Sequence, residues 1–265
     1  MIELAGIRYA WPESPPVLDG VSLTVREGEK LVLLGANGSG KSTLLKLMNG
    51  LVQPQSGAYR YGGEDVTPAR LRGGEWARRF RSEVVLLFQH PEAMLFNPTV
   101  RDEIAYGPRQ LGLADAEART ARWAAALGLL PLLDKAPFAL SGGQKQKVAL
   151  AAILALEPRV LLLDEPVSSL DPRASGWLVD FLLDCGKTVI VSTHNLSMAT
   201  ELGERCLVLG EGGRPLYDGP LQEALHDRAL LESANLVHRH RHRHDGDTHA
   251  YMHAHTHSHD WESSR

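Results

Sequence analysis

The sequence is poor in cysteine. Cys185 and Cys206 are the only two in 265 residues, which excludes a disulfide-stapled secreted scaffold and points to a reducing compartment. It lacks a long hydrophobic run: the longest unbroken apolar stretch, residues 148–156, is far below the roughly 18–20 residues that cross a bilayer. The opening Met1-Ile2-Glu3 has no basic segment followed by an apolar one, so no secretory signal is read. Neither charge sign dominates. Lys+Arg 28 against Asp+Glu 32 leave a formal net charge of -4, which argues against whole-surface affinity for nucleic acid, and no nucleic-acid partner is expected. No internal repeat is found. What remains is 43% hydrophobic and 23% charged, enough for a sizeable core in one or two domains. A soluble cytoplasmic chain without a membrane span of its own is expected.

Short β-branched or Leu-rich runs alternate with helical patterns, the mark of an α/β domain with a largely parallel sheet. Turn chemistry at Trp11-Pro12, Ser14-Pro15-Pro16 and Asp19-Gly20 predicts short antiparallel strands before Val25. Lys30–Leu34 reads as a buried strand and residues 42–49 as a helix stopped by Gly50. Residues 84–88, 160–163 and 188–192 predict further core strands. From about residue 90 to 156 the pattern turns helical, including residues 114–127, which predicts an inserted helical subdomain. Residues 205–210 and 214–218 flank Glu211-Gly212-Gly213 as a closing hairpin, and leucines spaced over residues 220–237 predict one terminal helix. After Val237 the composition changes: nine of the twelve histidines fall between His238 and His259. Residues 238–265 cannot bury enough apolar surface to offset their ordering entropy, so a disordered tail is expected.

Gly35-Ala36-Asn37-Gly38-Ser39-Gly40-Lys41-Ser42 fits G-x-x-x-x-G-K-[ST] between a strand and a helix. Its glycines let backbone N–H groups approach phosphates as an anion nest, to which the helix start adds its positive end. Lys41 would reach the β- and γ-phosphates and the Ser42 hydroxyl would ligate Mg²⁺; Thr43 belongs to the same candidate set. Val160-Leu161-Leu162-Leu163-Asp164-Glu165 delivers two carboxylates to a strand end. Alternation along a strand sends neighbours to opposite sides, so Asp164 is expected on the metal and Glu165 on the attacking water as general base. Leu140-Ser141-Gly142-Gly143-Gln144 places Ser141 and Gln144 at capping-box spacing, opening a helix over residues 145–156. Its two glycines make a second anion cradle, best explained by a nucleotide held by a partner subunit.

With these motifs in this order, residues 1–219 resemble an ATP-binding-cassette (ABC) ATPase. The resemblance implies a RecA-like parallel sheet core, an antiparallel β subdomain and an inserted helical subdomain, with ATP and Mg²⁺ as cofactors. It implies two cassettes closing head-to-tail on two ATP molecules, with Ser141, Gly142, Gly143 and Gln144 of one acting on the ATP of the other. By the same resemblance Gln89 senses Mg²⁺, and Asp171 of Ser168-Ser169-Leu170-Asp171 couples the two sites. His194 is the switch histidine at the γ-phosphate, joining Glu165 in catalysis, and Tyr9 stacks on adenine.

The stretch from Phe88-Gln89-His90-Pro91 through Leu95-Phe96-Asn97-Pro98-Thr99-Val100 to Tyr106-Gly107-Pro108 resembles ATPases of energy-coupling-factor importers. That implies a peripheral position on the cytoplasmic face of the membrane, a CbiQ-like transmembrane coupling protein and a CbiM-like substrate-binding membrane component. The histidine-rich tail points to the CbiO-like metal branch, with Co²⁺ placed first and Ni²⁺ close behind, and with His253, His255, His257 and His259 as transition-metal ligands. The alternatives are a vitamin importer of the same type and a histidine-rich P-loop metallochaperone; the latter would carry an Asn-Lys-x-Asp guanine motif, which is missing. A DNA-repair cassette would need a long coiled coil between Lys41 and Ser141, for which the interval is too short. Met94, Leu95 and Phe96 form an apolar cluster that either packs internally or receives a helix of the coupling protein.

Overall fold

The computed structural model describes residues 1–244 and 247–254. The chain opens with two long antiparallel strands, β1 (Ile2–Ala10) and β2 (Pro16–Val25), whose inward positions alternate with exposed ones. Next come β3 (Lys30–Leu34), apolar and buried after its opening lysine, and α1 (Lys41–Met48), where the glycine-rich loop joins strand to helix. The strands β4 (Ser56–Tyr61) and β5 (Glu64–Asp65) then return to the first sheet, which has the order β2-β1-β4-β5. Two short helices, α2 (Pro68–Leu71) and α3 (Gly74–Glu83), lead into β6 (Val84–Leu87).

The helical insertion carries α4 (Val100–Gln110), α5 (Ala116–Ala126) and α6 (Gly142–Leu154). The chain then re-enters the core through β7 (Val160–Asp164), α7 (Pro172–Asp184), β8 (Thr188–Thr193), α8 (Leu196–Leu202) and β9 (Arg205–Leu209). The strand β10 (Pro215–Pro220) closes the second sheet antiparallel to β9. That sheet has the order β10-β9-β3-β8-β7-β6, with the four pairings from β9 to β6 all parallel, so the α/β expectation with a mainly parallel sheet holds.

The parallel strands divide two cores by their period of two. Leu31 and Leu33 of β3, with Val160 and Leu162 of β7, face α1 and the antiparallel sheet. Val32 and Leu34, with Leu161 and Leu163, face α6, α7 and α8. Because Asp164 follows Leu162 by two positions, the same period aims it at the α1 side, where the phosphate loop lies.

Two expectations need correction. The terminal helix over residues 220–237 is two helices, α9 (Leu221–His226) and α10 (Arg228–Ser233). Asp227 separates them: its extended backbone ends the first, and its carboxylate accepts from Leu230 N at 3.0 Å to cap the second. The tail expected to be disordered carries a two-stranded ladder, β11 (Val237–His244) against β12 (Asp247–Ala254), with His238 opposite His253. Histidine and arginine alternate along residues 238–244 with a strand's period, and among the described residues these strands pair only with each other. Of the tail ligands expected from the sequence, His253 lies on β12; His255, His257 and His259 lie outside the described residues.

Candidate active site

The phosphate loop is shaped by glycines that no other residue could replace without movement. Gly40, at φ 95°, caps α1 with its backbone, and a Cβ there would stand 2.4 Å from the Val17 carbonyl. Gly35, at φ 152°, would collide with the Leu209 carbonyl and the Ser39 hydroxyl at 2.5 Å. The antiparallel sheet thus presses β2 directly onto the loop. Residues 37–43, Val17, Gln89, Asp164 and Glu165 line one cavity of about 360 Å³. Asn37, Gly38, Ser39, Gly40, Lys41, Ser42 and Thr43 therefore stand where the sequence pattern expects them.

Lys41 is buried, and its ammonium donates to the carbonyls of Gly35 at 2.6 Å and Ala36 at 3.0 Å. Burial pushes this ammonium below the usual lysine range, while the carboxylates of Glu165 and Asp164 oppose the shift. The buried ammonium is a charged donor in the cavity lining, suited to phosphate oxygens, while the two carboxylates leave the cavity net negative and call for a cation beside the phosphates. The Ser39 hydroxyl, buried in the same wall, has no hydrogen-bond partner, so the cavity offers a donor as well as a charge.

Asp164 and Glu165 both line this cavity, which corrects the expectation that they point to opposite sides. The strand ends at Asp164, and Glu165 adopts φ 48°, so the alternation stops one residue early. Its left-handed turn is held by Glu165 N donating to the Ser192 carbonyl at 3.2 Å and to the Ser192 hydroxyl at 3.3 Å. The Ser192 hydroxyl donates in turn to Asp164. His194 Nδ1 lies 2.7 Å from Glu165 Oε1, and the Thr193 hydroxyl donates to Oε2 at 3.4 Å. Glu165 and His194, paired only by resemblance in the sequence, are direct neighbours. Ser192 and Thr193 escaped the sequence reading; their signal was two hydroxyls at the end of an apolar strand, and the structure sets Ser192 in parallel register with Asp164.

The donors available for Mg²⁺ are the Ser42 hydroxyl, the Gln89 amide and the Asp164 carboxylate, all on the same cavity wall. This set fits Mg²⁺, which takes hard oxygen ligands and completes its shell with water and phosphate. Among the described residues no group of three or more His, Cys, Asp or Glu side chains converges as an all-protein cage.

Tyr9 lies outside that cavity's lining, on β1 opposite Leu18, whose side chain abuts the Cβ direction of Gly40. The signature residues also stand apart from the phosphate loop. Ser141 caps α6 in a reciprocal box with Gln144: Ser141 N donates to Oε1 at 3.0 Å and Gln144 N to the hydroxyl at 3.4 Å. The helix begins at Gly142, three residues before the expected start. At Gly143 a Cβ would lie 2.9 Å from the Ser169 carbonyl, so the signature packs against the loop that ends in Asp171. Asp171 caps α7 and accepts from Lys147 Nζ at 2.9 Å. Buried Gln146 donates to the Pro166 carbonyl at 3.0 Å. Lys147 and Gln146 were missed because their partners are distant in sequence.

The apolar cluster after Gln89 divides. Met94 and Leu95 pack against the core, whereas Phe96 is 66% exposed and meets only the ring of Tyr106 edge-on, at 4.9 Å, among aromatic neighbours. Glu103 fixes this corner by accepting from Phe96 N and Asn97 N at 2.9 and 2.7 Å.

Comparison with known proteins agrees with this geometry. The profile of the ABC transporter family matches residues 18–168. The nickel import ATP-binding protein NikO of Rhodobacter capsulatus is 42% identical over 243 residues, 89% of this chain and 95% of its own. Among solved structures, cbiO1 from Clostridium perfringens, part of the ABC transporter complex cbiONQ, superposes with a TM-score of 0.72 at 27% identity, covering 89% of this chain and 94% of that one. A dimeric ATP-binding cassette, MJ0796, in a post-hydrolysis state with ADP and Pi, gives 0.73 at 26% identity over 83% of this chain and 99% of its own. The chain belongs to the ATP-binding subunits of ABC transporters and is an ATPase.

Proposed function

We propose that this chain is the ATP-hydrolysing subunit of an energy-coupling-factor importer for a divalent transition metal. The observation that carries the hydrolytic half is the placement of Glu165: its carboxylate enters the phosphate cavity on a left-handed turn, with one oxygen on His194 and the other on Thr193. A carboxylate so fixed can accept the proton of an attacking water, with His194 at its side toward the γ-phosphate. Ser42, Gln89 and Asp164 hold Mg²⁺, which supplies charge neutralisation at the phosphate oxygens. Lys41 and the backbone N–H groups of residues 37–43 orient the phosphates, and Tyr9 stacks on the base. Ser141, Gly142, Gly143 and Gln144 reach the ATP of a second copy, and Asp171 joins the two sites.

The likeness to NikO over nearly the whole of both chains supports the metal reading and moves Ni²⁺ ahead of Co²⁺; imidazole ligands favour Ni²⁺ in the same direction. Among the described residues no helix is long and apolar enough to cross a membrane, so transport needs separate membrane components. Those are a CbiQ-like coupling protein and a CbiM-like substrate-binding protein, placing this subunit on the cytoplasmic face. The test is reconstitution in vesicles with the membrane proteins that co-purify with it. ATP-driven accumulation of Ni²⁺ or Co²⁺ that is lost in Glu165→Gln is expected. Vitamin uptake without metal uptake would replace this reading with the vitamin-importer alternative.

A further inference from the structure

The nucleotide site is built on two sheets. The phosphate loop and its helix α1 belong to the parallel sheet, while Tyr9 belongs to the antiparallel one. A base ledge on one sheet helps an ATP held by the other only if the two are kept in register. Three side chains around the end of β1 do this. The Trp11 ring meets Tyr9 edge-to-face, with centroids 5.1 Å apart and planes at 88°. Lys46, one turn beyond Ser42 on α1, places Nζ 5.9 Å from the centroid of Trp11. Gln55 clamps the residue between the two aromatics: Ala10 N donates to Oε1 and Gln55 Nε2 donates to the Ala10 carbonyl, each at 3.1 Å. The ladder also slips between Tyr9 and Ala10, where Leu18 and Pro16 are their partners and Val17 is skipped. The strand end therefore relies on these side chains for its direction.

We infer that Trp11 is a positioning residue for the purine base: anchored by Lys46 to the phosphate-loop helix and aimed by the Gln55 clamp, it fixes the ring of Tyr9 over the nucleotide. The inference rests on the reading of Tyr9 as the adenine-stacking residue. Trp11 is 38% exposed, so its role is not that of a core side chain. Loss of the aromatic edge contact that holds Tyr9 corresponds to about 3- to 10-fold in affinity.

The experiment is calorimetric titration of the full chain with MgATP and with tripolyphosphate, which carries the phosphates without the base. For Trp11→Ala, MgATP binding weakens by about 3- to 10-fold and KM for ATP rises in proportion. Tripolyphosphate binding and kcat at saturating ATP stay as in the wild type, and Trp11→Phe restores most of the loss. Equal weakening for both ligands, or none for either, overturns the inference. Tyr9→Ala separates the two readings. If it weakens MgATP binding while Trp11→Ala does not, only the role of Trp11 falls; if it has no effect, the stacking role of Tyr9 falls and the inference with it. Should Trp11→Ala not fold, Gln55→Ala removes the clamp at an exposed position and is held to the same criterion.

Discussion

At the scale of single residues, the outcome at Glu165 turns on one backbone angle. A glutamate at φ 48° occupies a region that costs a non-glycine residue free energy, of order 1–3 kcal/mol, and that persists where the surroundings over-determine it. Here Ser192 grips the amide while Thr193 and His194 hold the carboxylate. The backbone departs from the strand just where the side chain meets the phosphate cavity. Glu165→Gln preserves shape and most of this network but cannot take a proton. ATP turnover is expected to fall by about 10²–10⁴-fold with ATP affinity retained, and under the proposed arrangement of two copies closing on ATP, ATP-bound dimers are expected to accumulate. Steady-state turnover beside size-exclusion chromatography in ATP checks both; near-normal turnover would remove Glu165 from the role of base. Lys41→Ala acts differently, because it deletes the buried ammonium that faces the carboxylates, and a fluorescent-ATP titration should show weakened binding itself.

At the scale of elements, α6 and α7 are linked through Lys147 and Asp171. The Lys147 ammonium, with the Ala174 amide, holds the Asp171 carboxyl below the usual carboxylate range. A carboxylate depressed in the fold contributes stability at pH above its unfolded value of about 3.9, and loses it as pH falls through the lower folded value. Asp171→Asn keeps a good helix cap but does not titrate. The variant should be less stable than wild type near neutrality, by urea titration, with the gap narrowing as pH drops below about 4; a gap independent of pH would deny the ion pair a role. The segment from Met94 to Phe96 makes a second element-level prediction. Because Phe96 is exposed while Met94 and Leu95 are packed, Phe96→Ala should leave the isolated ATPase folded and active yet impair assembly with the coupling protein, seen by co-purification. Loss of the fold along with activity would assign Phe96 to internal packing. The elements legible in the sequence were those whose signal is local: apolar β3 and β7, the glycine-loop helix α1, and the Ser141–Gln144 box. Unread were α3, which is mostly polar and has only Ala77 and Phe80 buried, and α7, α8, β4 and β5. The split at Asp227 was hidden by leucines that run through both short helices. Contacts such as Gln146 with Pro166 depend on tertiary packing between segments 20 residues apart, and no spacing rule reaches them.

At the scale of the whole molecule, chemistry and tail are structurally separate. Among the described residues, the last ones built into the core are Leu230, Leu231, Ala234, Leu236 and Val237, and the ladder that follows pairs only with itself. Truncation after Val237 therefore removes no residue of either core and none of the phosphate site, and ATP turnover should be unchanged. What it removes is nine of the chain's twelve histidines. Imidazole binds a metal ion only when neutral, and it titrates near about pH 6.5, so binding should be present near pH 7.5 and lost below about pH 6. Arg239, Arg241 and Arg243 interleave the first histidine group and repel a cation. The group His253, His255, His257 and His259 has only Ala, Thr and Ser between its members and should bind more tightly. Calorimetric titration with Ni²⁺ and Co²⁺ at the two pH values, on full-length protein and on the form ending at Val237, checks this. Several weak sites in the full chain at the higher pH alone, with none in the truncated form, is the expected result. Equal uptake by both forms would reduce the tail to a solvated extension, and the metal reading would then rest on the ATPase domain's likeness to its relatives.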